Sequence, residues 1–331
     1  MRRCGPVIGK RQVEDLLVQA AVDIDAFYRA RIPAPCTANT LLVLSADGKG
    51  IVMRPDALRP TTQKAAARLG LFRTRLASGE KSGRKRMAAL AAVHDAEPAS
   101  GVHTTCPRPG GRHGSPHTPA GPKATAKWLH GSVLHDAATV VKDVFDQAEA
   151  RDPGHQRPWI VLVDGAHARH QLDLIQSEAV LRGITIHIVI DLDLVHVHVH
   201  VLEHFWQAVW AFHDTGDPAA EYWAAVPALT ILAGGTRQVT ESIERQDWAA
   251  QLTPTRRHGA EVCIRCPTGK ESFLRYDRAL EAGWPIATGV IEGACRHLIA
   301  DRLDITGARY CNFTEKRQQV SRLSRRGPNL R

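Results

Sequence analysis

The apolar positions of this chain fall into short runs separated by polar punctuation, and their spacing changes along the sequence. Thr40-Leu-Leu-Val-Leu-Ser-Ala-Asp47 leads into Gly48-Lys49-Gly50 and then Ile51-Val52-Met53, which predicts a hairpin turning at Asp47-Gly48. Between Pro158 and Asp164 every residue is apolar, the pattern of a strand covered on both faces. A second such run spans Ile184 to Asp191, with helical spacing over 169–182 and Gly183 between them. Strand, helix and strand at these lengths predict a parallel crossover unit.

Helical spacing of Val13, Leu16, Leu17, Ala20, Ala21, Ile24 and Phe27 predicts an amphipathic helix over 10–31, ended by Pro33 and Pro35. Segments 55–76 and 124–150 also read as helices, as does almost everything from 201 to 282. Trp206, Trp210 and Trp223 lie at near-helical spacing there and are expected in the core of that helical region. Arg86 to Asp95 reads as a third strand, although its alanines also suit a helix. Residues 97–123, crowded with Pro, Gly, His and Thr, read as loop.

The fold class these elements imply is α/β, a mixed sheet flanked by helices and interrupted by an all-helical insertion. The expected divisions are a helical segment 1–39, a core 40–200, the insertion 201–283, a core helix 284–309 and a basic tail 310–331. A chain of 331 residues accommodates one such core with its insertion. Its 44% hydrophobic and 23% charged residues are ordinary for a globular protein, and no apolar run reaches the roughly eighteen residues needed to span a bilayer. No apolar core follows Met1 to Pro6, so a cytoplasmic protein without a secretory signal is expected. Seven scattered cysteines suit reduced thiols; Cys263 and Cys266 form a single CxxC pair, which falls short of a tetrahedral zinc set.

The net charge of +9 is unevenly spread. Residues 310–331 hold six basic residues against the single Glu315, about half of the excess. Arg73, Arg75, Lys81, Arg84, Lys85 and Arg86 form a second cluster, around Glu80, suited to phosphate contacts. Gly48 and Gly50 stand outside any GxxxxGK[ST] phosphate loop, so nucleotide hydrolysis is not indicated.

Asp47, Asp164 and Asp191 each end an apolar run, and strand ends of this kind face the crevice in which α/β sheets place their sites. Converging carboxylates repel unless a cation joins them, and oxygen ligands suit Mg²⁺ or Mn²⁺. An Asp followed by Gly is also an ordinary turn, the commoner arrangement for any one of them. A fourth acidic residue, Glu292, lies on a helix that Thr288 is placed to cap, with Arg296 four residues on as a surface ion-pair partner.

Four phrases carry a family resemblance: LVLSADGKGIVMRPDALR, WIVLVDGAHARHQLDLI, HVLEHFWQAVWAFH and GWPIATGVIEGACRHLIADRLDITGAR. In this order, over most of residues 5–309, they resemble the ISKra-type insertion-sequence transposases. The resemblance implies an RNase H-like core with a helical insertion before the last acidic residue. It also implies a triad of Asp47, Asp164 and Glu292 holding two Mg²⁺ or Mn²⁺ ions, and double-stranded DNA as substrate, cut by a homo-oligomer. Asp191, Asp193, His196, His200, Arg296 and His297 are accessory candidates; Asp193-Leu-Val-His196 fits the family's Asp-x-x-His spacing, while HVLEHFW belongs to His200. The run DLDLVHVHVHV reads as a short duplicated insertion, and two further residues follow Asp164. The resemblance stops at Arg309, so a truncated or degraded copy is expected, and a DNA-binding remnant without activity is one alternative. A zinc-dependent hydrolase using His196, His198 and His200, which share one face if the run is a strand, is another.

Overall fold

The computed structural model describes residues 36–53, 85–99, 121–164, 168–191, 208–214, 216–250, 252–268 and 270–303, with Gln12, Leu16, Gln19, Ala26, Ala30 and Lys64 as isolated positions. A five-stranded mixed sheet forms the centre, in the order β3-β2-β1-β4-β5. Its strands are β1 (Leu41–Val52), β2 (Lys85–Ala96), β3 (Ala124–Ser132), β4 (Trp159–Val163) and β5 (His187–Ile190). β1, β2 and β3 form an antiparallel meander, whereas β4 pairs parallel with β1 and β5 parallel with β4. Helix α1 (Ala137–Arg151) follows β3, and α2 (Ala168–Arg182) makes the crossover from β4 to β5. The helical region then supplies α3 (Ala219–Leu232), α4 (Thr236–Ala250), α5 (Pro254–Thr268) and α6 (Tyr276–Glu281).

The chain returns to the sheet with α7 (Gly289–Ala294), which widens into a π-helical turn over Cys295–Ala300 and ends at Leu303. Side chains alternate across a strand, so the sheet has two distinct faces. One carries Leu44 and Ala46 and packs on Val141, Val144 and Phe145 of α1. Burial of a side chain such as Phe145 contributes about 1.5–3 kcal/mol. The opposite face carries Ala88, Leu90 and Ala92 of β2 with Ile51, and is covered by Ile291, Ala294, Leu298 and Ile299. Arg182, in the last turn of α2, ties that helix to α1 through Asp146 at 2.7 Å and Glu149 at 2.5 Å.

Several expectations from the sequence hold: the strand at 86–95, the crossover β4-α2-β5 and the helical nature of the described part of 201–282. Others are corrected. The hairpin expected at Asp47-Gly48 is one continuous twelve-residue strand, because β2 offers a partner to every residue from Leu41 to Val52. That pairing outweighs the local turn preference of Asp-Gly, and Met87 Cε lies only 3.0 Å from where a Cβ on Gly48 would stand. The helix expected over 124–150 is a strand, β3, followed by the shorter α1. Ser132 Oγ accepts the backbone N–H of Leu134 and His135, ending the strand, and Asp136 caps the helix by accepting from Thr139 N at 2.9 Å. Trp210, expected in the core, is 43% exposed, while Trp223 is half-buried against Phe212. Leu16, expected on an inward stripe, is 58% exposed. Apart from Lys64, which is helical, 55–76 lies outside the described residues.

β3 carries a bulge opposite β2: Ala126, at φ 47°, and Lys127 lie between the pairs Val93–Trp128 and Asp95–Thr125, where β2 has only His94. His94 faces this bulge, 3% exposed, and its Nδ1 has no hydrogen-bond partner among the described residues. Burial, reinforced by the charges of Lys127 and Arg151, lowers its pKa from 6.5 to about 4. The folded state therefore takes up this proton only below about pH 4, whereas the unfolded chain takes it up from about 6.5 downwards. Stability should be lost as pH falls through that window, by up to about 3 kcal/mol from this one group. Urea titrations at pH 7, 6, 5 and 4 should show the wild-type curve falling relative to His94→Gln; parallel curves would contradict the assignment.

Candidate functional site

Three aspartates share one level of the sheet. β1 and β4 pair with Leu42 opposite Trp159 and Ser45 opposite Leu162, and this register carried two residues further sets Asp47 level with Asp164. β4 and β5 pair with Val163 opposite Ile190, so the next residues, Asp164 and Asp191, are level too; Asp191 N donates to Val163 O at 2.9 Å. Neighbouring strands lie about 4.8 Å apart, and residues level in parallel strands project to the same face. Asp164 and Asp191 directly follow their strands as expected, but Asp47 is internal to β1, standing where β4 leaves the sheet.

The face they share is the one covered by the 284–303 segment. Trp284 stacks on His187 with ring centroids 4.6 Å apart, and the Tyr276 hydroxyl donates to Ile190 O at 2.8 Å. These contacts fix the start of α7 over the ends of β4 and β5. Thr288 stands at the N-cap position, as the sequence suggests, yet its hydroxyl makes no cap bond to the helix backbone. It instead contacts the carboxylate of Asp191 and lies 2.9 Å from Glu292 Oε1. One buried hydroxyl thus spans two carboxylates on different elements.

Asp47 is anchored separately. Its Oδ1 accepts from Gly48 N at 2.5 Å, and its Oδ2 accepts from Cys295 Sγ at 3.0 Å. Burial, together with the adjacent Asp47 and Glu292 charges, pushes the Cys295 thiol well above the usual thiol range, so it stays protonated and donates. The widened π turn begins at Cys295, three residues after Glu292. The helix thereby presents Glu292 to Thr288 and Cys295 to Asp47.

Thr288 joins Asp191 to Glu292 and Cys295 reaches Asp47, with half-buried Asp164 level between the strand aspartates, but the ligand oxygens of no three of these acids gather within 4.8 Å of one another. Carboxylate oxygens match the preference of Mg²⁺ or Mn²⁺, and an ion here would have to draw the acids closer together than they stand. Thr288 and Cys295 were not recognisable as site residues from their own sequence context; the one local hint is that they stand at i−4 and i+3 from Glu292, on the same helical flank. Arg296 and His297 face solvent, where His297 Nδ1 pairs with Asp301 at 2.9 Å. Asp193, His196, His198 and His200 lie outside the described residues, as do Arg73, Arg75, Lys81 and Arg84. Lys85 opens β2, and Arg86, half-buried, pairs with Ile51 of β1. Among the described residues no helix is long and apolar enough to cross a membrane. Cys263 is buried in α5. No protein-family model, curated protein or solved structure matches the chain.

Proposed function

We propose that this chain is a transposase that cuts and joins DNA at insertion-sequence ends, with an RNase H-like core whose acidic site is Asp47, Asp164 and Glu292. The observation that carries this reading is the alignment of the strand aspartates at one level of the sheet, with a helical glutamate from beyond a helical insertion joined to Asp191 through Thr288. An antiparallel three-strand meander joined to two parallel strands supports the same reading, and so does the resemblance of four ordered phrases to the ISKra-type transposases.

Asp47, Asp164 and Glu292 are the residues to hold two Mg²⁺ or Mn²⁺ ions; Asp191 is the fourth carboxylate at the site. Such ions, when bound, supply a more acidic attacking oxygen and neutralise charge on the leaving one. The protein's own contribution is positioning. Cys295 holds one oxygen of Asp47, leaving Oδ1 beside the Gly48 backbone, and Thr288 sets the relative placement of Glu292 and Asp191. Asp47 and Glu292, two of the three bridged acids, stand on β1 and on α7, which pack together in one core cluster, and this favours a preorganised site. The substrate is double-stranded DNA, bound by phosphate contacts from the basic 73–86 and 310–331 segments, and the working form is a homo-oligomer.

The test is Mg²⁺- or Mn²⁺-dependent nicking of a duplex carrying the flanking element ends, with the wild type beside Asp164→Asn. Nicking by the wild type and none by the variant is the expected result. Equal nicking by both removes the acidic site from the reaction, and DNA binding without any nicking by the folded wild type identifies a remnant.

A further inference from the structure

We propose a second metal site, for a transition metal of the Zn²⁺ class, built from His130, His135 and Asp143 where β3 hands over to α1. One ligand atom from each of the three lies within 4.8 Å of the other two, and His130 Nε2 stands 3.4 Å from Asp143 Oδ2. Tetrahedral zinc holds nitrogen and oxygen at about 2.0–2.1 Å, which separates neighbouring ligand atoms by about 3.4 Å. The His–Asp pair already stands at that separation. His135 Nδ1 is shielded from solvent without a hydrogen-bond partner among the described residues, a cost that a bound ion would remove.

Each ligand is held from behind. The His130 ring stacks on Trp128, with centroids 5.5 Å apart and planes within 5°. The backbone N–H of His135 donates to Ser132 Oγ at 3.0 Å, fixing the turn that presents this residue. Asp136, seven residues before Asp143, caps α1 and sets which face of the helix meets β3. The side chains of His130 and Asp143 are 11% and 36% exposed, so an ion reaches them without unfolding.

This site is separate from the carboxylate site in both place and chemistry. His130 pairs with Ala91, which pairs with Ala46, whereas Asp47 pairs with Leu90. The His130 side chain therefore projects from the face opposite Asp47. Two imidazoles and one carboxylate select zinc-like ions over Mg²⁺, and three protein ligands leave the fourth position to water. Bound there, the ion ties the edge strand β3 to α1.

The experiment is Zn²⁺ titration calorimetry on the full chain, with Co²⁺ absorption as a report of four-coordinate geometry, for the wild type, His135→Gln and Asp143→Asn. Because the 196–200 histidine run is itself able to take up metal, all three proteins carry alanine at His196, His198 and His200. One tight equivalent is expected in the parent, weakened in each variant by more than the roughly 10–100-fold that loss of an outer-shell partner costs. Hydrogen exchange should slow in β3 and the first turns of α1 when Zn²⁺ is added, and only in the parent. Uptake unchanged in the variants, or no tight uptake in the parent, overturns the site and leaves a His130–Asp143 ion pair. Asp143→Asn keeps size and shape, so it decides the matter alone if His135→Gln fails to fold.

Discussion

Asp47→Asn should abolish divalent-ion-dependent DNA nicking while leaving the metal-free protein at least as stable as the wild type. Asp47 is half-buried and level with Asp164 and Asp191, so in the absence of cations it adds a repelling charge to a crowded site. Asparagine removes that charge and retains one carbonyl oxygen, which can accept from Gly48 N while the Cys295 sulfur turns to accept from the new amide. One of the two contacts is kept, the other is reversed in direction, and the repulsion is relieved. Activity changes in the opposite direction. Loss of a shared metal ligand removes several kcal/mol of charge stabilisation in phosphoryl transfer. About 4 kcal/mol of that corresponds to roughly a thousandfold slower nicking. Melting in chelator and in Mg²⁺ supplies the accompanying readout: the wild type should gain stability on adding Mg²⁺ and the variant should gain much less. A variant that nicks at the wild-type rate, or that unfolds in chelator well below it, contradicts the account.

Asp164 and Asp191 were legible as candidates because each ends a strong apolar run, whereas Glu292 reads equally well as a surface ion-pair partner and was singled out only by the family resemblance. The run from Trp159 to Val163 is apolar throughout and buried throughout, so its end is unmistakable, and His187–Ile190 follows at crossover distance. Asp47 was found for a partly mistaken reason, since Asp-Gly-Lys-Gly reads as a turn and is the second half of a long strand. Pairing with a distant segment decided that case, and a distant segment leaves no trace in the local pattern. β3 was missed because it is an edge strand with alternate residues exposed and a bulge opposite His94, so a helix and a strand fit its composition equally well. The least legible parts are the bridges. Cys295 meets Asp47 across 248 residues of sequence, and Thr288 meets Asp191 across 97. Neither residue is unusual in its own neighbourhood; only the closing of α7 onto the sheet gives the thiol and the hydroxyl their work.

At the other end of the sheet the largest stability effect is expected from Arg157→Ala. Asp95, 3% exposed near the end of β2, receives Arg157 through Nη1 at 2.9 Å and Arg151 through Nη1 at 3.4 Å. Arg157 is itself 8% exposed, and its backbone N–H donates to Asp152 Oδ2 at 3.0 Å. Trp159 Nε1 donates to the same oxygen at 2.9 Å, and Gln156 N to Oδ1 at 3.1 Å. Burial raises the Asp152 pKa, but these hydrogen bonds and Arg157 outweigh it and hold the carboxyl below its usual range. The cluster joins the end of β2, the end of α1 and the start of β4. Truncating Arg157 leaves Asp95 buried with only its longer contact to Arg151, and breaking a buried pair in this way costs about 3–5 kcal/mol. That is a large share of a domain stability on the order of 5–15 kcal/mol. Urea unfolding measures the loss, and a cost under about 1 kcal/mol would show the pair to be dispensable. Asp95→Asn completes the comparison: with the buried charge gone, Arg157→Ala in that background should cost much less than in the wild type, so the two losses should not add. Nicking per folded molecule should be unchanged in all three variants, because the cluster lies at the level of Leu42 on β1, five residues along the strand from Asp47.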